Sequence, residues 1–586
     1  MAKKVALGIN DFKMIIDGNY AFVDKTLMIK EFFESGAHVT LTPRPRRFGK
    51  TLNLSMLQYF CEAPFKGETE QLHAYLFEGL NVCQYPEIMA HQGQYPVISL
   101  TFKDIKAPTW DACYKGLTEV ISKEYRRHDY LLKSEHLRAN EKKVFQNIID
   151  GIADQTNYSF ALKNLSEYLC KYRNKRVIIL IDEYDTPIQE AAIVDFDKPT
   201  NEKEYYKNTV YFIRNLMGAC LKDNSMLHKG FVTGILQVAK ESIFSGLNNL
   251  AVCGLTETGV AKKIQQGHKD DVLYTDKFGL LEEEVIAFFQ QTDVPLDLDL
   301  IKKWYNGYSS GPFRVYNPWS IASYLMYQTY KQHWINTSDN KLPRLLVSMA
   351  SDEIKAEIEQ LRDGGMIRKT INETISFTDL KTQENVLWSL LLFAGYLTFQ
   401  IPKKQTNELD FYLVVPNQEI KDFFKTMVTS WFDVKHMQKI LSPLLLALAS
   451  GDIKGFKAQF EDTVMRCFSY MDVTKNTAES FYHAFVLGMI VGLDKTHEIK
   501  SNREAGTGRY DVMIVPRDNK DIGIIIEFKK RRPKEDADLE DAAINALEQI
   551  EEKKYEVELR ERGIKNIKKL AIVFEGKDSL VKEAGE

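Results

Sequence analysis

Apolar, β-rich runs at His38 to Thr42, Tyr95 to Phe102, Val177 to Ile181 and Gly230 to Ile235 alternate with long stretches of helical periodicity. Those stretches are Leu52 to Cys61, Thr109 to Arg127, Lys142 to Lys171 and Glu204 to Lys222. Strand alternating with crossover helix is the pattern of a parallel sheet covered by helices, so the first half reads as α/β. From Lys277 to about Tyr330 the pattern shortens around Trp304-Tyr-Asn-Gly-Tyr308 and Val315-Tyr-Asn-Pro-Trp319, which reads as a helical lid. A mostly helical middle ends in a hairpin, Tyr396 to Ile401 and Phe411 to Val415. The last block, from about Ser450, predicts helices and two strands, Arg509 to Val515 and Ile522 to Phe528. A helix over Lys534 to Glu558 and a strand over Leu570 to Phe574 close the pattern. The domains expected are 1–270, a phosphate-loop α/β domain; 271–345, the lid; 346–449, the helical middle; and 450–586, a second α/β domain.

Composition narrows the function. With 586 residues, 44% hydrophobic and 27% charged, the chain holds enough material for several cores. A formal charge of −4 excludes bulk-charge nucleic-acid binding, so any such site is a local basic surface. Seven dispersed cysteines without a C-x-x-C pair argue against a disulfide framework or zinc ribbon and for a reducing, cytoplasmic setting. The start lacks the apolar run of a secretory signal. Val386 to Ile401, the most apolar stretch, is too short and too interrupted to span a bilayer, so no membrane partner is expected.

Arg44-Pro-Arg-Arg-Phe-Gly49-Lys50-Thr51 follows one strand and opens a helix, where backbone amides cradle phosphate oxygens. Gly49 belongs to that cradle, Lys50 reaches the β- and γ-phosphates, and the Thr51 hydroxyl completes a magnesium shell. The full phosphate-loop pattern wants Gly where Arg44 stands. Arg44, Arg46 and Arg47 rank below Lys50 as contacts to phosphate or DNA, since exposed arginines are commonly only solvated. Val177-Ile-Ile-Leu-Ile-Asp182-Glu183 is a strand buried on both faces with two acids at its C-terminal end. Asp182 is the magnesium ligand expected there, and Glu183 orients or deprotonates the attacking water. Thr233, at another strand end, is a sensor of the γ-phosphate. An acidic helix cap after a core strand is the competing account of Asp182 and Glu183.

Positions 511 and 527 are equidistant from 519, so a hairpin centred there sets Asp511 opposite Glu527 at a spacing of about 5 Å. Facing carboxylates demand a cation, a protonated carboxyl or a compensating lysine, and a divalent ion, magnesium or manganese, is the simplest answer. Lys529 shares the face of Glu527 and would position a water or stabilise charge on a phosphate. Glu479, on an upstream helix, is a further acid for metal or water. A surface salt bridge between Glu527 and Lys529 is the bland alternative. Lys529, Lys530, Arg531, Arg532 and Lys534 would hold a phosphate backbone. His483 lies one turn after Glu479, but no histidine pair has metal-ligand spacing, and none is assigned.

The run of Asp11-Phe12, Tyr20 to Thr26, Arg44 to Thr51, Ile181-Asp-Glu-Tyr-Asp185, Ser242 to Leu250, Tyr305-Asn-Gly-Tyr308 and Tyr316-Asn-Pro-Trp319 resembles the bacterial AAA-ATPase-like family over roughly the first 340 residues. That resemblance implies ATP as the nucleotide. Roughly residues 450 to 580 resemble the PD-(D/E)XK nuclease superfamily, through Glu479, Ser501 to Asp511, Ile524-Ile-Ile-Glu-Phe-Lys529 and the helix bearing Gln549 and Tyr555, which implies a restriction-endonuclease-like α/β fold for 450–586. Those last two stand farther apart than the Q-x-x-x-Y element of some relatives. Carried over, Asp511 and Glu527 are metal ligands, Lys529 the catalytic lysine and Glu479 an accessory acid. The expected function is an ATP-binding protein, ATP-hydrolysing as well, coupled to a magnesium-dependent nuclease. DNA is the expected partner with RNA as the alternative, and homo-oligomers stay open. A nucleotide-gated binding module without cleavage, or a scaffold with both sites inert, are the competing readings.

Overall fold

A computed structural model of the chain describes residues 2–64, 73–196, 198, 202–222, 224–237, 243–244, 247–256, 273–335, 352–372, 384–401, 410–430, 443–469, 482–483, 486–487, 490, 493, 496–505, 508–518, 521–532, 536–576 and 578–585. The chain divides into two compact units. One comprises Met1–Pro343 and Met366–Lys421, the other Arg344–Gly365 and Asp422–Glu586.

The first unit is built on five strands, β1 (Val39–Pro43), β2 (Val97–Thr101), β3 (Val177–Asp182), β4 (Leu227–Gly234) and β5 (Leu250–Val252), in the order β2-β3-β4-β1-β5. Every pairing is parallel. The unbroken apolar run of β3 is buried along its whole length because helices cover both faces of the sheet. The helix Lys50–Cys61 follows β1; Trp110–Arg127, Ala139–Ile149 and Gln155–Arg173 lie between β2 and β3; Thr186–Val194 and Glu204–Leu221 lie between β3 and β4. The expected helix over Lys142 to Lys171 is two helices. Gly151 turns the chain at φ 76°, and the Asp154 side chain caps the second helix by accepting from Asn157 N. Parallel register sets Thr42 beside Thr233 and Thr101 beside Asp182, so these polar residues collect at one end of the sheet. The chain leaves β1 toward β2 at one edge and later returns to β5 on its other side. The C-terminal end of β1 therefore opens on a topological switch point, where α/β sheets bind ligands.

The region expected to be a lid holds the helices Glu282–Gln290, Leu298–Tyr305 and Pro318–Tyr327 with the hairpin β6 (Tyr308–Ser310) and β7 (Phe313–Val315). Its core gathers Val285, Phe288, Ile301, Tyr305, Tyr316 and Ile321. Gly307 sits at φ 108°, and a Cβ there would lie 2.1 Å from the Pro416 carbonyl oxygen. The aromatic loop thus packs backbone to backbone against the segment that follows the next sheet. That sheet is β8 (Ile367–Thr370), β9 (Thr398–Gln400) and β10 (Asp410–Val414); β9 and β10 form the expected hairpin, whereas β8 has too few apolar residues to announce itself.

The second unit carries β11 (His497–Ala505), β12 (Gly508–Pro516), β13 (Gly523–Lys530), β14 (Ile567–Glu575) and β15 (Asp578–Glu583), paired in that order. Only β13 and β14 run parallel. The helix Ile453–Ser469 covers one face through Phe456 and Phe460, and Leu539–Glu552 covers the other through Ala542, Ala543 and Ala546. The expected helix over Lys534 to Glu558 ends early. After Glu552 the chain turns through Lys554 at φ 55° before a short helix, Val557–Glu561. Among the described residues, no helix is long and apolar enough to cross a membrane, and Cys61, Cys83, Cys113, Cys170, Cys220 and Cys253 are free thiols.

Candidate functional site

At the end of β1 the chain passes through a tight loop into the helix Lys50–Cys61. Arg47 (φ 67°) and Gly49 (φ 84°) take left-handed conformations that turn the backbone into the helix N-terminus. The Lys50 ammonium, 4% exposed, folds under this loop and donates to the carbonyl oxygens of Arg44 (3.1 Å) and Pro45 (3.0 Å). Burial pulls its pKa down, opposed by Glu183, Asp182 and Asp185. Thr51 Oγ1 donates to Asp182 Oδ2 at 2.7 Å, and Thr233 Oγ1 donates to Asp182 Oδ1 at 2.6 Å. Asp182 is 3% exposed, and burial, reinforced by the charge of Glu183, pushes its pKa up. Glu183 is half-buried at φ 50°, a strained backbone for a residue with a Cβ, and its carboxylate accepts from Thr186 Oγ1 at 3.3 Å. Gly49, Lys50, Thr51 and Glu183 line a cavity of about 510 Å³ that Arg46, Arg47 and Trp319 also border.

Arg44 does not join them. Its side chain is 1% exposed and donates to the carbonyls of Pro43 (2.9 Å), Cys253 (2.7 Å) and Tyr274 (3.2 Å), with Phe278 beneath it. The expectation that it touches phosphate or DNA is corrected: the guanidinium is an internal tie for the loop's entry strand.

In the second unit the β12–β13 ladder pairs Val512 with Ile526, Met513 with Ile525 and Ile514 with Ile524. The ladder ends at Val512 and Ile526, one residue short of Asp511 and Glu527, and Asp511 reaches β13 through its side chain. Phe528 N donates to Asp511 Oδ2 at 2.8 Å, which fixes the Asp511 carboxylate against β13. Glu527 is 2% exposed. Its Oε1 accepts from Gln549 Nε2 and from Lys529 Nζ (3.4 Å), while its Oε2 has no hydrogen-bond partner among the described residues. Burial, then the adjacent Asp511 charge, pushes the Glu527 pKa up to about 8. Lys529 Nζ also donates to Gln549 Oε1 at 2.8 Å, and Gln549 Nε2 donates to the Tyr555 hydroxyl at 3.3 Å. Phe528, between Glu527 and Lys529, is buried in the core on the opposite face, where the His483 ring lies tilted against it with centroids 5.1 Å apart. His483 makes a 3.2 Å hydrogen bond with Ser501 Oγ, and burial lowers its pKa to about 4. Glu479 and Lys534 lie outside the described residues. Arg531 is paired with Glu575 (2.8 Å) and donates to Ala537 O, so its charge is already committed.

Residues 6–244 match the family of predicted AAA-ATPases, described as AAA-ATPase-like, and residues 477–584 match the PD-(D/E)XK nuclease superfamily. The chain carries an AAA-ATPase-like domain and a PD-(D/E)XK nuclease superfamily domain. It is also similar to an uncharacterized protein in the vnfD 5' region of Azotobacter chroococcum mcd 1, at 26% identity over 423 residues, 72% of this chain and 68% of that one.

In the AAA-ATPase-like domain, sheet register brings Lys50, Thr51, Asp182, Glu183 and Thr233 to one end. Two neighbours escaped the sequence reading. Thr101, at the end of β2, donates to Asp182 Oδ2 at 3.3 Å; a polar residue closing an apolar strand, as at Thr233, was its available signal. Asp185 is fully buried, and its Oδ2 accepts from Ile235 N, Leu236 N and Gln189 Nε2. It thereby pins the chain just past Thr233; Asp185 stands in the Ile181-Asp-Glu-Tyr-Asp185 run, but this role depends on a contact across 50 residues. In the PD-(D/E)XK domain, Gln549 reaches the acid and the lysine despite its long separation from Tyr555, because the early end of its helix turns Tyr555 back toward it. Among the described residues, no group of three or more His, Cys, Asp and Glu side chains is arranged to hold a metal ion. The described polar groups are the acid pair, the lysine and the glutamine.

The donor sets fit hard cations. In the nuclease-type domain a carboxylate oxygen is buried without a partner beside a second carboxylate, and oxygen ligands of this kind suit magnesium or manganese. In the ATPase-type domain the hydroxyl of Thr51 and the carboxylate of Asp182 meet next to the Lys50 loop, a pairing suited to magnesium with nucleotide phosphates.

Proposed function

We propose that the chain binds and hydrolyses ATP and uses nucleotide state to govern magnesium-dependent cleavage of DNA phosphodiesters, with RNA as the alternative polymer. The single observation that carries the cleavage half is the buried, partnerless Glu527 Oε2 across the hairpin from Asp511 with the Lys529 ammonium alongside.

Asp511 and Glu527 would hold the ion, and Glu479 would serve as an accessory acid. Magnesium bound there would supply Lewis-acid polarisation of the phosphate and a water of lowered pKa. Asp511 is held in place by the Phe528 amide. Lys529 offers its ammonium to the charge that develops on the phosphate oxygens, and Gln549 orients Lys529 and Glu527 relative to each other. In the front domain Gly49 and the helix N-terminus cradle phosphates. Lys50 exchanges the Arg44 and Pro45 carbonyls for β- and γ-phosphate oxygens. Thr51 and Asp182 would hold magnesium, Glu183 orients the attacking water, and Thr233, which bonds to Asp182, senses the γ-phosphate. The free cysteines suit a cytoplasmic setting.

The test is incubation of the purified full chain with linear, circular and single-stranded DNA and with RNA, with and without magnesium and ATP. Magnesium-dependent cutting by the wild type, absent in Asp511→Asn, is expected. Cutting that persists in Asp511→Asn refutes the site, and nucleic-acid binding without cutting by the wild type replaces the enzyme with a nucleotide-gated binding module.

A further inference from the structure

The phosphate loop presents a second cation that its sequence pattern does not call for. Arg47 is solvent-exposed at the cavity that Lys50 and Glu183 line. Its left-handed φ of 67° is disfavoured for a residue with a Cβ, so the surrounding structure must hold it there. The lid does so. The guanidinium carbon lies 4.0 Å from the ring centroid of Trp319, the second residue of the helix Pro318–Tyr327. Beside it, Asn317 Nδ2 donates to Arg46 O at 3.5 Å, and Gly279 N donates to Phe48 O at 3.3 Å. Three consecutive loop residues are thus tied to the lid and the segment that leads into it.

Electrostatics place Arg47 with the catalytic groups. Glu183 is the foremost acidic neighbour of Lys50, and it is also the acid that favours the charged form of Arg47. Two cations and one carboxylate therefore line the same cavity. Lys50 is buried and already engaged with two carbonyls, whereas Arg47 rests on an aromatic face. A cation–π contact at a solvated position is weak, and a guanidinium meeting phosphate oxygens forms charge-assisted, forked hydrogen bonds that exceed it.

We infer that Arg47 is a phosphate-binding residue that distinguishes nucleoside triphosphate from diphosphate, and that Trp319 parks it in the nucleotide-free state. A terminal phosphate drawn to Lys50 takes the guanidinium off Trp319, and the lid helix loses that tie to the loop. A diphosphate leaves the pair stacked. This inference rests on the nucleotide reading above.

The experiment titrates the full-length protein with ADP and with the non-hydrolysable β,γ-imido analogue of ATP, in magnesium, following affinity by calorimetry and tryptophan emission. Subtracting the response of Trp319→Phe isolates Trp319. The imido analogue should change the Trp319 emission and ADP should not. Arg47→Asn keeps a residue type that tolerates left-handed backbone, and it should lower the ratio of triphosphate to diphosphate affinity about tenfold. An unchanged ratio in Arg47→Asn, or equal loss of both affinities, overturns the inference while the wild-type binding leaves the nucleotide site standing. The same emission change with both nucleotides also overturns it. A wild type that binds neither nucleotide removes this inference and the nucleotide reading together.

Discussion

Raising the pH should strengthen metal binding to the nuclease-type domain steeply and then stop. Glu527 holds its proton up to about pH 8 because it is buried and faces Asp511, against an ordinary value of 4.5. A metal ligand must be deprotonated, so below pH 8 the ion competes with that proton. For a single competing proton the apparent affinity scales as the deprotonated fraction. That fraction is about 0.01 at pH 6 and about 0.5 at pH 8, so affinity should rise about 50-fold over that interval and only about twofold more above it. The same arithmetic gives release of about 0.9 proton per ion bound at pH 7 and about 0.1 at pH 9. Stability of the metal-free protein should move the other way. Between pH 4.5 and pH 8 the folded chain binds a proton that the unfolded chain has lost, so this group's contribution declines as pH rises through that window. Calorimetric titration with manganese in buffers of different ionisation enthalpy measures affinity and proton release together, with Glu527→Gln as the variant that should bind no ion. Affinity that is flat from pH 6 to pH 8 would refute the reasoning, because it would mean that no buried acid gives up a proton to the ion.

Lys529→Ala should reduce cleavage at least about a hundredfold at unchanged melting temperature, read by a gel assay beside a thermal melt, because the side chain is partly exposed and its loss opens no core cavity. Lys50→Ala should weaken ATP binding at least about tenfold in calorimetry, and unchanged affinity would count against the loop. Arg44→Gly, which restores the glycine of the full phosphate-loop pattern, should destabilise the protein by ~3 kcal/mol in denaturant unfolding, since the carbonyls of Cys253 and Tyr274 lose a buried partner; a variant as stable as the wild type would show that the tie is dispensable.

The strands that carry chemistry were legible because each is an apolar run ending in a polar residue, and β3 with Asp182 shows this most clearly. The hairpin of β12 and β13 was legible for a similar reason: the turn between two β-runs fixes register by counting, and the ladder places Val512 with Ile526 as the count requires. Strand β11 was not read as a strand because it carries Glu498, Lys500, Arg503 and Glu504, and it forms by pairing along nearly its full length with β12 rather than through its own pattern. The fate of Arg44 was hidden for the same kind of reason. Its acceptors, Cys253 and Tyr274, stand about 200 residues away, and no local motif reports a partner at that distance.

The two sites treat a buried acid differently, and the difference bears on order of events. Asp182 is met by hydroxyls of Thr51, Thr233 and Thr101, so its negative end is largely satisfied before any ion arrives. Glu527 has one oxygen bridged by Gln549 and Lys529 and the other left without a partner. An ion entering beside Asp182 exchanges one set of good contacts for another, so its net gain is small unless phosphate oxygens come with it. An ion entering beside Glu527 displaces the proton that the buried acid holds below about pH 8 and gives a partnerless oxygen its contact. The front domain is therefore expected to hold magnesium weakly without nucleotide, while the nuclease-type domain holds it independently of substrate. Loss of manganese binding to the nucleotide-free full chain on Glu527→Gln, with no loss on Thr51→Ala, would distinguish these two behaviours; the reverse pattern would show that partner satisfaction does not rank the sites.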